Sequence, residues 1–419
     1  MSEWTTIELG QLADFRNGLN YSAGDNGVGL SIVGVSDFQD KSFVDFSSLA
    51  ELDPSALSTP DALIRKDDIL FVRSNGNREL IGRSLLVLDN PPKPTSHSGF
   101  TIRLRFTDNR ADPRFFAYLL RGGTIRRRLS SQGGGTSINN LNQGILSRLA
   151  VPLPPLETQR RIASILGAYD DLIEVNRRRI AVLEEMARGL FEEWFVRFRF
   201  PGHEAVPILD TQHGPLPEGW GYGPFTEVAD VLSGGTPKKD KAEYWGGDIP
   251  FFTPRDAPGT AWIFDTLANV TVKGVANCNS KLYPENTVFI TARGTVGKVA
   301  LAAVPMAMNQ SCYALVGKGY PQHFLFGFTQ WASARLQAMS NGAVFDTIIV
   351  DTFRKLQLPI PPVALAWAYE EKATPILEMS RVVSASIKRL VASRDLLLPR
   401  LISGQLSVAE AERHLEKVA

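Results

Sequence analysis

The chain has 419 residues, 44% of them hydrophobic and 21% charged, and 45 Lys and Arg against 44 Asp and Glu leave a net charge of +1. That length is too great for one ordinary core and predicts two or three units. The composition is that of a soluble globular protein that can bury a sizeable core, and near-neutrality argues against a lone non-specific nucleic-acid binder while leaving room for local basic patches. The N-terminal MSEWTTIELG has no basic start followed by an apolar run, and no stretch approaches the ~18 apolar residues of a membrane span, so a cytoplasmic protein is expected. Cys278 and Cys312 have neither metal-ligand spacing nor a disulfide framework.

In chain order, residues 1–150 read as a mixed α/β head. Asp68–Arg73, Arg83–Leu88 and Phe100–Arg105 are β-branched or aromatic runs between Gly, Asn and Pro clusters, and Pro113–Leu129 has helical character. Val151-Pro152-Leu153-Pro154-Pro155 cannot be helical and forms an extended step. From Leu156 to about Phe200 no proline intervenes. Two seven-residue series, Leu166, Ile173, Ile180, Ala187, Trp194 and Ile162, Tyr169, Asn176, Leu183, Leu190, make the narrow a/d stripe of a long helix that needs a partner. Pro201-Gly202 ends it, giving a segment 151–202, and His203–Gly223 reads as a linker.

The pattern then repeats. In a second head, 203–355 with its linker, strands are expected over Asn286–Ala292, Gly297–Ala302 and Ser311–Val316 and a helix over Gln322–Met339. Leu356-Gln357-Leu358-Pro359-Ile360-Pro361-Pro362 returns the proline step at an offset of 207. In the closing segment, 356–419, Tyr369, Ile376, Val383, Leu390 and Leu397 superimpose on the first helical stripe without a gap. The fold class expected is α+β: two similar mixed heads and two long antiparallel helices, related by an internal pseudo-twofold.

Glu157-Thr158-Gln159-Arg160-Arg161-Ile162 through Asn176-Arg177-Arg178-Arg179-Ile180 resembles the central conserved region of type I restriction-modification specificity subunits, and Arg394-Asp395-Leu396-Leu397-Leu398-Pro399-Arg400-Leu401-Ile402-Ser403-Gly404-Gln405-Leu406 is similar to their C-terminal conserved region. Gly234-Gly235-Thr236-Pro237, Tyr244–Pro250 and Arg293-Gly294-Thr295-Val296-Gly297-Lys298 match the target-recognition pattern. The chain departs from it where Val363-Ala364-Leu365-Ala366-Trp367 replaces the polar helix start, and where Arg73-Ser74-Asn75-Gly76-Asn77 stands in place of the fuller Arg293–Lys298 motif.

The resemblance implies that each head recognises one half of a bipartite, asymmetric site in double-stranded DNA, with the helices as spacer. It further implies two methyltransferase subunits using S-adenosylmethionine and restriction subunits using ATP and Mg²⁺, with no cofactor and no catalytic residue in this chain. For phosphates, Arg121, Arg126, Arg127 and Arg128 stand beside the glycine-rich Ser130–Thr136 loop. For base edges, guanidinium and amide groups point to Arg73, Asn75, Asn77 and Gln132 in the first head and to Arg255, Arg293, Asn309 and Asn341 in the second, with Thr136, Thr236 and Lys298 completing the DNA-contact set. The exposed faces of both long helices, together with Trp194, Phe195 and the Leu396–Ile402 segment with Leu398 and Leu401, are candidates for contacts to the methyltransferase subunits.

Asp89-Asn90-Pro91-Pro92 is similar to the loop of adenine methyltransferases, but Lys93 stands where a stacking aromatic is required and no glycine-rich methyl-donor turn accompanies it. No phosphate-binding loop, nucleophile elbow or metal-binding helix motif occurs either. A two-headed protein-interaction scaffold without specific DNA binding stays open as the alternative, to be separated from a DNA reader by the salt dependence of DNA affinity.

Overall fold

A computed structural model describes residues 4–38, 41–57, 59–77, 80–131, 141–340, 347–402 and 405–415. The chain divides into two compact units, one of residues 1–172 with 390–419 and the other of residues 173–389. Among the described residues no helix is long and apolar enough to cross a membrane.

The first unit is built on an antiparallel sheet in the order Ala13–Asn17, Thr101–Phe106, Ile69–Val72, Ser84–Leu86. A second sheet orders Ala50–Leu52, Asn26–Val33 and Thr95–His97. The apolar run Ile69-Leu70-Phe71-Val72 is buried throughout because both faces of that strand are covered. The helix expected over Pro113–Leu129 is two helices, Pro113–Arg121 and Gly123–Ser131, interrupted where Gly122 takes an extended ψ of 139°. Thr5–Glu8 pairs antiparallel with Ala150–Leu153, so the proline step is the second strand of a small ribbon that closes the unit.

The second unit repeats this order. Its main sheet runs Ala229–Ser233, Cys312–Gly317, Val288–Thr291, Val299–Ala302 and adds Trp262–Ile263. Its smaller sheet runs Asn269–Val270, Trp245–Phe252, Ala307–Met308, and Gly221–Pro224 pairs with the second proline step at Gln357–Ile360. The segment 203–223, expected to be a linker, instead holds a hairpin of Ile208–Thr211 and Gly214–Pro217 and the start of that closing ribbon.

The central helix spans Leu156–Phe191 and the C-terminal helix Val363–Ile402. The central helix starts directly after two prolines, which fix an extended entry. It ends in a π turn at Glu192–Val196, earlier than Phe200, and the chain turns away through positive φ at Phe198 and Gly202. The a/d stripe is buried in each unit: Ile162, Leu166 and Tyr169 in the first, Ile173, Ile180, Ala187 and Trp194 in the second. Within the second unit Ser380 donates to Glu184 and Tyr369 donates to the Ala187 carbonyl, so the helices run antiparallel.

Candidate nucleic-acid interface

The same loops meet at one end of the paired sheets in each unit. After the strand Ala13–Asn17, Gly18 lies so close to Ser98 that a Cβ would sit 2.1 Å from the Ser98 carbonyl oxygen; Gly234 meets the Asn309 carbonyl at the same 2.1 Å. Only glycine permits that approach. The Ser98 amide donates to Val33 at 3.0 Å and the Asn309 amide to Phe252 at 2.9 Å. The Arg73 amide donates to Phe100 at 2.8 Å while its carbonyl accepts from Leu141; the Ala292 amide donates to Ser311 at 2.8 Å while its carbonyl accepts from Ile348. Four backbone contacts thus define one duplicated cluster of loops.

This equivalence shifts the expected correspondence by one residue: Arg73 matches Ala292, and Ser74 matches Arg293. The reason is that the Arg73 backbone is a ladder member, so its side chain is half-buried and reaches the Gly99 carbonyl at 3.4 Å, whereas the Arg293 side chain is exposed. Asn75 accepts from the Asn77 amide at 2.7 Å and Asn309 from the Ser311 amide at 2.9 Å. Each side-chain oxygen therefore serves its own turn, which weakens the bidentate amide reading of adenine expected for these two residues.

In the second unit these contacts bring together the loops that carry Thr236, Arg293 and Asn309, with Arg255 in the turn after Phe252 and Lys298 at the end of the Gly294–Gly297 turn. The Thr236 hydroxyl donates to Gln310, which fixes both side chains in the neighbouring loops. Arg255, Arg293 and Lys298 are exposed and make no side-chain hydrogen bond or ion pair among the described residues. Gln132, Thr136 and Asn341 lie outside the described residues.

Sequence reasoning missed Phe100 and Gln310, which the cluster places beside Arg73 and Thr236. Phe100 is 63% exposed, and an aromatic flanked by glycine in a polar turn was the available signal. Behind the first cluster, Arg105 holds Asp68 through two 2.7 Å bonds, and Arg16 and Arg103 approach Asp61. These cations are committed to the sheet. His97, fully buried beside them, has its pKa pulled down to about 3, first by burial and then by Arg103, Arg16 and Arg105.

Two sets of expectations need correction. Arg121 and Arg126 do not lie on an open helix face: both are half-buried and line a cavity with Tyr118, whereas Arg127 and Arg128 are exposed. Trp194, Phe195 and Leu401 are buried by their own chain and cannot face a partner, because the aromatic pair fills the core against Phe324 and Tyr369. Leu398 is half-buried against Gly122.

An internally duplicated protein, with one loop cluster and one long helix per repeat, belongs to the class of two-headed recognition proteins. The family described as type I restriction modification DNA specificity domain matches residues 1–185 and 217–364, and this chain belongs to it. Over 97% of its length the chain is 24% identical to the type I restriction enzyme HindI specificity subunit of Haemophilus influenzae, covering all of that protein. It is 22% identical to the putative type I restriction enzyme MjaX specificity subunit of Methanocaldococcus jannaschii, over 97% of this chain and 94% of that one. The fold is like that of the type I restriction-modification S subunit from M. genitalium, with a TM-score of 0.56 at 14% identity over 95% of this chain and 96% of that one.

Proposed function

We propose that each unit reads one half of a bipartite, asymmetric site in double-stranded DNA, and that the chain itself carries no chemistry. The observation that supports this best is the duplicated loop cluster: two frameworks with matching backbone contacts display different side chains, as two readers of different sequences require. In the second unit Arg293, Arg255 and Lys298 contact DNA, with Thr236 at the base edges and Asn309 in a supporting position; in the first, Asn77, Arg127 and Arg128 supply contacts, with Arg73 and Asn75 in supporting positions. Methyltransferase subunits carrying S-adenosylmethionine, and restriction subunits using ATP and Mg²⁺, supply the reactions.

The methyltransferase subunits dock on the central helix, where Val175, Val182 and Met186 are 44%, 59% and 52% exposed along one face. This replaces the buried Trp194 and Phe195 as the docking candidates. The test is DNA binding by the chain with its methyltransferase subunit as salt is raised from ~50 to ~200 mM. A DNA reader that neutralises several phosphates loses about 10³-fold or more in affinity; a salt-insensitive interaction would favour a protein scaffold.

A further inference from the structure

The first unit holds a cavity of about 600 Å³ whose lining, among the described residues, has Lys41, Arg83, Arg121, Arg126, Arg127 and Arg394 against the carboxylate of Asp395. That volume lies within the ~300–1,000 Å³ range of small-molecule sites. Arg394 is held by Asp170 and Asp395, and Lys41 by Asp45 at 2.9 Å. Arg121 makes no side-chain hydrogen bond or ion pair among the described residues, although it is half-buried. Burial pulls its guanidinium below the ordinary arginine value; Asp170 opposes that shift and Arg394 adds to it.

The repeat supplies an internal control. The second unit has a cavity of about 480 Å³ in the corresponding place, with Gln330 and Trp331 standing where the first unit has Arg121 and Gly122, and Arg188 and Phe191 where it has Asp395 and Leu398. Its lining carries Glu184, Glu185 and Glu192 against Arg188 and Lys298. One fold therefore forms this cavity with either sign of charge. The arginines of the first unit are not a requirement of packing, and Arg121, half-buried and without a side-chain partner among the described residues, leaves a guanidinium that a bound anion pairs.

We propose that the first-unit cavity binds a small soluble ligand bearing a chain of phosphoryl groups, of the size of a nucleoside triphosphate or a short inorganic polyphosphate. Guanidinium forks match phosphoryl oxygens in geometry as well as charge, and several of them around one cavity select a multiply charged chain over a single carboxylate. Because the lining joins the helices Pro113–Arg121 and Gly123–Ser131 to Arg394 and Leu398 of the C-terminal helix, the ligand ties the first head to that helix. The proposal does not rest on how the loop clusters read DNA, although the exposed Arg127 is shared between this cavity and the DNA contacts proposed above.

The experiment is calorimetric titration of the full-length chain, with its methyltransferase subunit, using inorganic tripolyphosphate, a nucleoside triphosphate and, separately, a DNA duplex. The variants are Arg121→Gln, which installs the residue the second unit carries at that position, and Lys41→Gln in the same lining. Tripolyphosphate is expected to bind the wild type at one site, about ten-fold or more weaker in Arg121→Gln and more modestly weaker in Lys41→Gln. Tighter binding of the nucleoside triphosphate than of tripolyphosphate identifies a nucleotide as the ligand; equal binding identifies the phosphate chain. No binding to the wild type, or binding that neither variant alters, overturns the proposal. So does a result in which only duplex affinity falls in Arg121→Gln, since the cavity is then a DNA contact.

Discussion

The two repeats anchor their long helices with opposite chemistry. In the first unit Tyr118 donates to Asp170 at 2.6 Å, Arg394 donates to the other oxygen of the same carboxylate, and the group is buried. At the offset of 207, Asp170 corresponds to Leu377 and Arg394 to Ala187, and alignment of Phe115 with Phe324 puts Gly327 opposite Tyr118. In the second unit the vacated volume is filled by Phe191, whose ring lies where a Cβ on Gly327 would sit, 2.6 Å away. Around it Phe195, Phe324 and Tyr369 pack with centroids 4.9–6.4 Å apart. A polar clasp and an aromatic cluster thus solve one packing problem. The clasp is directional and fails when one member is lost; the cluster spreads its energy over many contacts.

The largest expected effect breaks the clasp. Asp170→Ala strands the Arg394 charge and the Tyr118 hydroxyl and should cost about 3–5 kcal/mol, read as a fall in the denaturation midpoint of the first unit. Installing the second unit's residues as Asp170→Leu with Arg394→Ala should recover much of that loss; a double variant no better than the single would show that the clasp is not a closed unit. Tyr369→Phe removes only the bond to Ala187 at 3.2 Å and should cost about 1 kcal/mol.

A second contrast lies at the helix starts. Gln159, fully buried, accepts from the Asp112 amide at 2.8 Å and donates to the Arg110 and Pro154 carbonyls at 2.9 and 2.7 Å. Ala366 takes its place in the second unit, where Glu370 instead caps the helix Gln322–Ser340 at the Phe324 amide, at 3.0 Å. Gln159→Ala should therefore cost about 1–3 kcal/mol in the first unit, measured by urea unfolding, and Glu370→Ala about 1 kcal/mol in the second.

The third contrast is pH. His97 of the first unit corresponds to Met308 of the second, both fully buried. The folded His97 pKa of about 3 lies below the ordinary 6.5, so the unfolded chain binds the extra proton between those values. Stability is present above pH 6.5 and is lost as pH falls toward about 3; by pH 5 the loss is about 2 kcal/mol. His97→Met should flatten that slope in the first unit alone. An unchanged acid midpoint would mean that the imidazole is not the sensitive group.

The duplication was legible because the proline steps and heptads keep one offset, and strands such as Ile69–Val72 and Val288–Thr291 announce themselves as buried β-branched runs. The strands Asn26–Val33 and Trp245–Phe252 were hidden by internal glycine and, in the second, Pro250. The burial of Trp194 and Phe195 was illegible because an a/d stripe shows that a face is covered without showing by what. Arg73 and Arg293 look alike in sequence, and only the ladder bonds reveal that they occupy adjacent, unequal positions.

Sequencing the methylome of a methylation-free host that expresses this chain with the methyltransferase subunit proposed as its partner, and comparing wild type with Arg293→Ala, tests the two-reader account most directly. The account predicts one bipartite methylated motif in the wild type, and in the variant a relaxed or lost half-site with the other half and the spacer unchanged. A motif that degrades equally in both halves, or that does not depend on the chain at all, would contradict it.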